Sequence, residues 1–265
     1  MINIFEQLLY TTLKIECIDL LGNITSIGTG FLLSRPIDIN SQKIYLVTNK
    51  HVIEGQNTIS ISFTELENGE PKIGRIQKFN ISELQQGIVY HPDKSIDIAI
   101  LEITGLFINF PNKLFFKTVD YDMLATFKEE ELNVAQSIYF VGYPDNRYDI
   151  ANNLPLIRTG IIASNPKLDF NGSKQFIIDA QVFPGSSGSP VYIDLIYENF
   201  KNGQIVLGER KVKLLGIVAM TMIRNNELQA INTNTKFITQ EVLGLGIVFK
   251  STAIKELIDS MPTNN

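Results

Sequence analysis

The chain has 265 residues and a mass of 29.8 kDa, 44% hydrophobic and 19% charged, with a mean hydropathy of +0.07; this is the composition of a folded globular chain, and one large domain or two small ones of this length bury roughly 70 to 75% of their unfolded surface. A net charge of −5 and a pI near 5.2 provide no basic footprint for nucleic acid, and no apolar run is long enough to span a bilayer. The single cysteine, Cys17, excludes an internal disulfide, and its setting in "LKIECIDLL" reads as a small hydrophobe inside a strand.

At the N-terminus, "MINIFEQLLYTTLKIE" lacks a basic segment ahead of a clean apolar one, because Glu6 and Gln7 interrupt it. No signal peptide is expected, and the chain reads as soluble and cytoplasmic. A short amphipathic helix is predicted around Phe5 to Leu9. Apolar, β-branched runs then recur between turn signals: "LKIECIDL", "GTGFLLS", "KIYLVTN", "TISISF" and "IDIAILEI", followed by "SIYFVGYP", "RTGIIAS", "QFIIDAQVF", "SPVYIDLIY", "QIVLG", "VKLLGIVAM" and "LGIVFK". Many short strands with frequent turns predict an all-β sandwich or barrel. Between about Pro111 and Gln136 the pattern weakens, which predicts a connector between two β units. The chain closes with "STAIKELIDSM", a helix in which Ser251 or Thr252 can cap and Ile254, Leu257 and Ile258 share one face.

Only two histidines are present. His51 follows a strand in "YLVTNKHVIEG". His91 precedes Pro92 in "VYHPDKSIDIAIL" and reads as a loop residue. Asp97 opens the apolar run "DIAIL", where a carboxylate carried inward needs a hydrogen-bond donor such as an imidazole N–H. Taken alone, a strand-opening Asp is more often a turn residue. In "VFPGSSGSPVYI" Pro184 fixes one backbone angle while Gly185 and Gly188 permit conformations closed to other residues, so a strained turn fits around Ser187. A flexible linker needs neither proline, and strong strands flank this segment on both sides. A serine hydroxyl becomes a nucleophile when a base takes its proton and a third group orients that base, and the chain order His51, Asp97, Ser187 supplies all three.

These segments together resemble the trypsin/chymotrypsin-like serine peptidases, most closely the bacterial HtrA-like branch without a PDZ domain. "GTGFLL" with "YLVTNKHVI" is similar to the glycine-containing strand and Thr-x-x-His turn, "DIAIL" to the Asp strand, "VGYP" and "RTGIIAS" to the opening of the second barrel. "DAQVFPGSSGSPV" resembles the nucleophile loop, "LLGIVAM" the strand beside the specificity pocket, and "GLGIVFKSTAIKEL" the last strand and helix. The likeness runs from about residue 10 to 260.

The resemblance implies two six-stranded antiparallel β-barrels with short terminal helices. The N-terminal barrel spans 10–118 and carries the His and Asp. A connector occupies 119–135, the Ser-bearing barrel 136–250, and a helix and tail 251–265. His51, Asp97 and Ser187 are then the catalytic triad of a serine endopeptidase, and the Gly185 and Ser187 backbone N–H groups form the oxyanion hole. Ser186 and Ser189 match structural positions. Secreted trypsin-like enzymes carry an Asp just before the nucleophile; Ser186 stands there, so no activation by N-terminal cleavage is expected. The substrate pocket is expected to have its base near Gln181 and walls from Ala219, Met220 and Thr221, with small or medium apolar P1 side chains preferred and an extended substrate pairing with Ala219 to Thr221. A polypeptide substrate is implied, with no cofactor and no metal, and regulation falls to loops or a partner protein. Two other readings stay open: a catalytically inactive, peptide-binding homologue, and an esterase using the same residues. The second is disfavoured by Pro190 and the β-branched continuation, where a nucleophile elbow needs a helix.

Overall fold

The computed structural model describes residues 3–201, 204–229 and 236–261. Strands form where the apolar alternation is strongest. In the N-terminal half they are β1 (Thr12–Ile18), β2 (Ile24–Pro36), β3 (Gln42–Thr48), β4 (Thr58–Glu67), β5 (Glu70–Ile81), β6 (Ile88–Tyr90), β7 (Ala99–Glu102), β8 (Leu114–Phe115) and β9 (Val119–Asp120). They make one sheet in the order β5-β4-β1-β2-β3-β7-β6, with β8 on β4 and β9 parallel to β2. In the C-terminal half β10 (Ser137–Gly142), β11 (Leu156–Ile162), β12 (Gln175–Asp179), β13 (Pro190–Lys201), β14 (Gln204–Gln229) and β15 (Lys236–Lys250) close into a barrel in the order β10-β11-β12-β15-β14-β13. The all-β, two-unit architecture and the six-stranded second barrel match expectation. The first unit carries more strands than six because β5 and the short β8 and β9 add to it.

β5 escapes a sequence reading because it is an edge strand. "EPKIGRIQKFNI" is mostly exposed, and Pro71 and Gly74 read as turn signals, yet it pairs with β4 from Ile59↔Ile81 to Glu67↔Glu70. Conversely, "QIVLG" and "VKLLGIVAM" are one strand, since the polar residues between them stay in register with β13, as in Leu195↔Lys211 and Ile196↔Arg210.

Helices are few: α1 (Ile4–Leu9), α2 (Lys50–Ile53), α3 (Thr104–Asn109) and α4 (Ser251–Asp259). Glu6, which breaks the apolar run in sequence, closes a capping box: Asn3 Oδ1 accepts from the Glu6 N–H and Glu6 Oε2 from the Asn3 N–H, both at 3.0 Å. At α4 the expected serine cap is absent. Lys250 holds the cap position, and the Ser251 hydroxyl donates instead to the Ala125 carbonyl at 2.8 Å, fastening the helix to the segment that joins the two units. The tail expected after residue 261 lies outside the described residues. No helix among them is long and apolar enough to cross a membrane.

Three apolar cores result. One fills the first sheet around Ile15, Leu46, Ile61 and Phe63. Another fills the closed barrel around Phe140, Phe176, Ile178 and Val248. The third lies between the units, where Phe31, Val47 and Ile100 of the first meet Val141, Tyr192 and Leu214 of the second, with Ile254, Leu257 and Ile258 of α4 over them. Tyr192 and Tyr143 are fully buried; desolvation pushes both phenols well above their usual range, and their hydroxyls reach Thr11 Oγ1 (3.2 Å) and the Thr12 carbonyl (3.4 Å). The two units are therefore joined by a packed interior and not by a hinge.

Candidate active site

β3 delivers the chain buried up to Thr48, and α2 then turns it outward. Val52 and Ile53 anchor this single turn in the core, which leaves His51 on its outer face with a half-exposed side chain. Asp97 lies between Ile96 and Ile98, both buried, and its backbone carbonyl is held by Asn49 Nδ2 at 2.7 Å. Its carboxylate grips His51 twice: Oδ1 accepts from the His51 N–H at 2.9 Å and Oδ2 lies 2.5 Å from Nδ1. An ionised carboxylate can only accept, so Nδ1 carries the proton and Nε2 is left as an acceptor.

Ser187 sits on the turn between β12 and β13. Gly185 (φ +86°) and Gly188 (φ +92°) both take the left-handed conformation, and a Cβ on Gly188 would lie 1.7 Å from the Thr29 carbonyl oxygen. Neighbours fix the turn from both units. Thr29 donates its N–H to the Ser187 carbonyl (2.9 Å) and its hydroxyl to the Gly185 carbonyl (2.7 Å). Gly188 N–H donates to the Val218 carbonyl and Val218 N–H to the Ser189 carbonyl, each at 2.9 Å, while Asp145 N–H meets the Pro184 carbonyl at 2.6 Å. Of the three serines, Ser186 and Ser189 point inward and are buried with unpartnered hydroxyls. Only Ser187 faces the cleft.

The backbone N–H groups of Gly185 and Ser187 have no acceptor among the described residues, so two donors stand free beside the Ser187 hydroxyl. That hydroxyl itself donates to the Ala219 carbonyl at 2.9 Å and not to His51. Beyond Ile217, the last residue of β14 opposite β13, no strand among the described residues pairs with the outer edge of β14 from Ala219 to Thr221.

A cleft of about 600 Å³ brings His51, Asp97 and Ser187 together with Ala219, Met220 and Thr221. Val182, Phe183, Pro184 and Ile223 give it further apolar wall, and Lys50, Glu54 and Lys94 line it as well. Gln181 does not line it. Gln181 is turned outward, its carbonyl held by Arg158 Nη1 at 2.5 Å, and its successors Val182 and Phe183 face the cavity in its place. The Arg158 guanidinium lies 5.0 Å from the Phe183 ring centroid, on which it stacks.

His91 lies in the loop after β6, as its sequence context suggests, but not at the surface. It is buried, with Nδ1 accepting from the Asp93 N–H (3.1 Å) and Nε2 3.6 Å from Glu256 on α4, because α4 folds over the end of β6. Cys17 is fully buried in β1, and burial pushes its thiol up. Sequence reasoning did not assign a role to Thr29. The signal was available in "GTGF", a polar side chain set between two glycines just ahead of the apolar run 31–33. Nothing in the local sequence marks Lys94 or Phe183 as cleft residues.

A family model described as a trypsin-like peptidase domain matches residues 28–194. No curated protein matches the sequence. Among solved structures, the chain is similar to the active form of the Rv3671c protease from M. tuberculosis, with 18% identity over 97% of this chain and 83% of that one and a TM-score of 0.49. It is similar to the inactivated protease paralogue S-I1 of the scabies mite, with 14% identity over 95% and 96% and a TM-score of 0.50. It is also similar to HBP, with 8% identity over 97% and 93% and a TM-score of 0.54. At these identities the likeness concerns the fold alone.

Proposed function

Because the chain belongs to the trypsin-like peptidase domain family, we propose that it is a serine endopeptidase working through His51, Asp97 and Ser187 and an acyl-enzyme intermediate. The observation that carries the reading is the double grip of Asp97 on His51, which fixes the base tautomer beside a serine flanked by two unpartnered amides. The Ser187 hydroxyl turns from Ala219 to Nε2 and attacks the scissile carbonyl carbon as His51 takes its proton. The tetrahedral oxyanion is held by the Gly185 and Ser187 N–H groups, and one such donor is typically worth about 10²- to 10³-fold in rate. Collapse transfers the proton from Nε2 to the leaving amine nitrogen and leaves an ester on Ser187. Water then attacks that ester, His51 takes a proton from the water, and Ser187 recovers it as the acid departs. Asp97 orients the ring and stabilises its charged form throughout.

The apolar wall from Val182, Phe183, Met220 and Ile223 supports small or medium apolar side chains at the position before the scissile bond. The free edge at Ala219 to Thr221 supports docking of an extended substrate as an added strand. Regulation by loops or a partner is supported by the hydrogen bond from Asp145, in the loop after β10, to the nucleophile turn.

One observation favours the second reading, a peptide-binding homologue without turnover: the Ser187 hydroxyl is engaged by Ala219 and not by His51. Labelling with a fluorophosphonate serine probe separates the two. A working triad labels the wild-type chain and loses the label in Ser187→Ala and His51→Ala. A wild-type chain that stays unlabelled, yet binds peptides in this cleft, establishes the second reading.

A further inference from the structure

The cleft contains one charge that nothing among the described residues answers. Its charged lining residues are Lys50, His51, Glu54, Lys94 and Asp97. Lys50 pairs with Glu54 at 3.2 Å, and Asp97 is committed to His51. Lys94 is exposed and has neither ion pair nor hydrogen bond among the described residues. Its neighbour Asp93 does not neutralise it, because Asp93 Oδ1 accepts from Ser95 twice, from the N–H at 2.9 Å and the hydroxyl at 2.7 Å. Those bonds make a tight turn that the buried Ile96 and His91 anchor on either side, and the Ile96 N–H closes it on the Asp93 carbonyl at 3.1 Å. Lys94 is thus presented towards the cleft from a fixed backbone, on a chain whose net charge is −5.

An ammonium lining a largely apolar cleft, without a counter-ion among the described residues, is best satisfied by an incoming carboxylate; an incoming cation meets repulsion and finds only the already paired Glu54. We propose that Lys94 is a specificity-determining residue that selects substrates carrying an Asp or Glu within about three residues of the scissile bond, beside the apolar side chain that fills the cavity. The inference rests on the peptidase reading above for turnover, but its binding component does not.

The test uses peptides with one apolar core and Asp, Asn or Lys placed in turn at each flanking position. Their affinity for the Ser187→Ala chain is read by fluorescence anisotropy, and kcat/KM with the wild-type chain is read in parallel. At low salt one position is expected to favour Asp over Asn by about 2- to 5-fold, the upper range of a rim ion pair. That ratio should shrink as ionic strength rises towards about 0.5 M, vanish in Lys94→Met, and invert in favour of Lys in Lys94→Glu. Absence of an Asp preference at every position, or a preference that survives Lys94→Met, overturns the proposal even if all the peptides are cut. An Asp preference in binding without any cleavage upholds it and overturns the peptidase reading.

Discussion

The hydroxyl of Thr29 donates to the carbonyl of Gly185 at 2.7 Å, so a strand of the first sheet holds the very turn that displays the two unpartnered amides of the second unit. The same oxygen accepts from the Tyr143 N–H at 3.2 Å, which makes Thr29 a staple between β2, the end of β10 and the nucleophile turn. Thr29→Val keeps the shape and removes both bonds. Leaving a buried carbonyl and N–H unanswered costs about 1–3 kcal/mol each at most, and kcat should fall about 10-fold or more as the amides lose their fixed aim. Thr29→Ser should restore most of it. Unchanged peptide or ester turnover in Thr29→Val would show that the turn holds its form without the staple.

Two glycines of nearly equal conformation predict unequal outcomes. Gly22 (φ +87°) has nothing within 4 Å of a built Cβ, whereas Gly188 (φ +92°) has the Thr29 carbonyl oxygen at 1.7 Å. Gly22→Ala should cost about 1 kcal/mol from backbone strain alone. Gly188→Ala should cost at least about 3 kcal/mol and abolish probe labelling, because the turn must leave the first sheet to relieve the clash. Denaturant midpoints of the two variants check this, and similar losses in both would refute the steric argument.

Asp97→Asn should leave the fold intact, since an amide oxygen still accepts from the His51 N–H, while the amide no longer selects the Nδ1–H tautomer. A fall in kcat of about 10⁴ is expected near neutral pH with little change in melting temperature. A loss of less than about tenfold would mean that Asp97 only shapes the loop.

Glu16 gives the fold an acid-sensitive contact. It is buried, and burial alone raises its carboxyl, but hydrogen bonds and charge from Lys14 (2.7 Å) and Lys78 (2.8 Å) outweigh that and hold it below the usual carboxylate range. Lys14 in turn meets the Tyr148 hydroxyl at 2.9 Å, so the pair reaches the loop after β10. With the folded pKa depressed, the stabilisation is complete above the ordinary carboxylate pKa and disappears as pH falls through the folded value. Glu16→Gln should therefore be less stable than wild type by about 1–3 kcal/mol at pH 7, with the two curves converging under acid. A gap that is constant across pH in urea titrations would argue for packing instead of charge.

What the sequence made legible follows from how local each signal was. His51, Asp97 and Ser187 stand in short motifs whose backbone demands are written into neighbouring residues: the glycines around Ser187, the apolar run after Asp97, the buried Val52 and Ile53 behind His51. The second barrel was legible because its strands are apolar on the buried face. β5 was not, since an edge strand buries little and its polar residues and glycine imitate a turn. Gln181 was assigned to the cleft by position in a motif, but it lies in the irregular segment after β12, where its carbonyl is held by Arg158 and Val182 and Phe183 line the cavity instead, a course that no local pattern announces. Thr29 bonds to Gly185 and Tyr143, far away in sequence, and Lys94 shares a cleft with residues of the second unit; such proximities appear only when the chain is folded.

The hydrogen bonds between Gly188, Ser189 and Val218 bear on the timing of biosynthesis. His51, Asp97 and Ser187 have all been translated before Val218, yet until that residue is in place the nucleophile turn is held in its own barrel by Asp145 alone and lacks the two bonds that fix Gly188 and Ser189. Synthesis at about 5–20 residues per second gives the nascent chain an interval of seconds in which every reacting group exists and the turn that presents Ser187 is not fully fastened. On the peptidase reading, the last hold on the nucleophile turn comes after all three reacting residues have been made, which delays a fully formed site on a ribosome-bound chain.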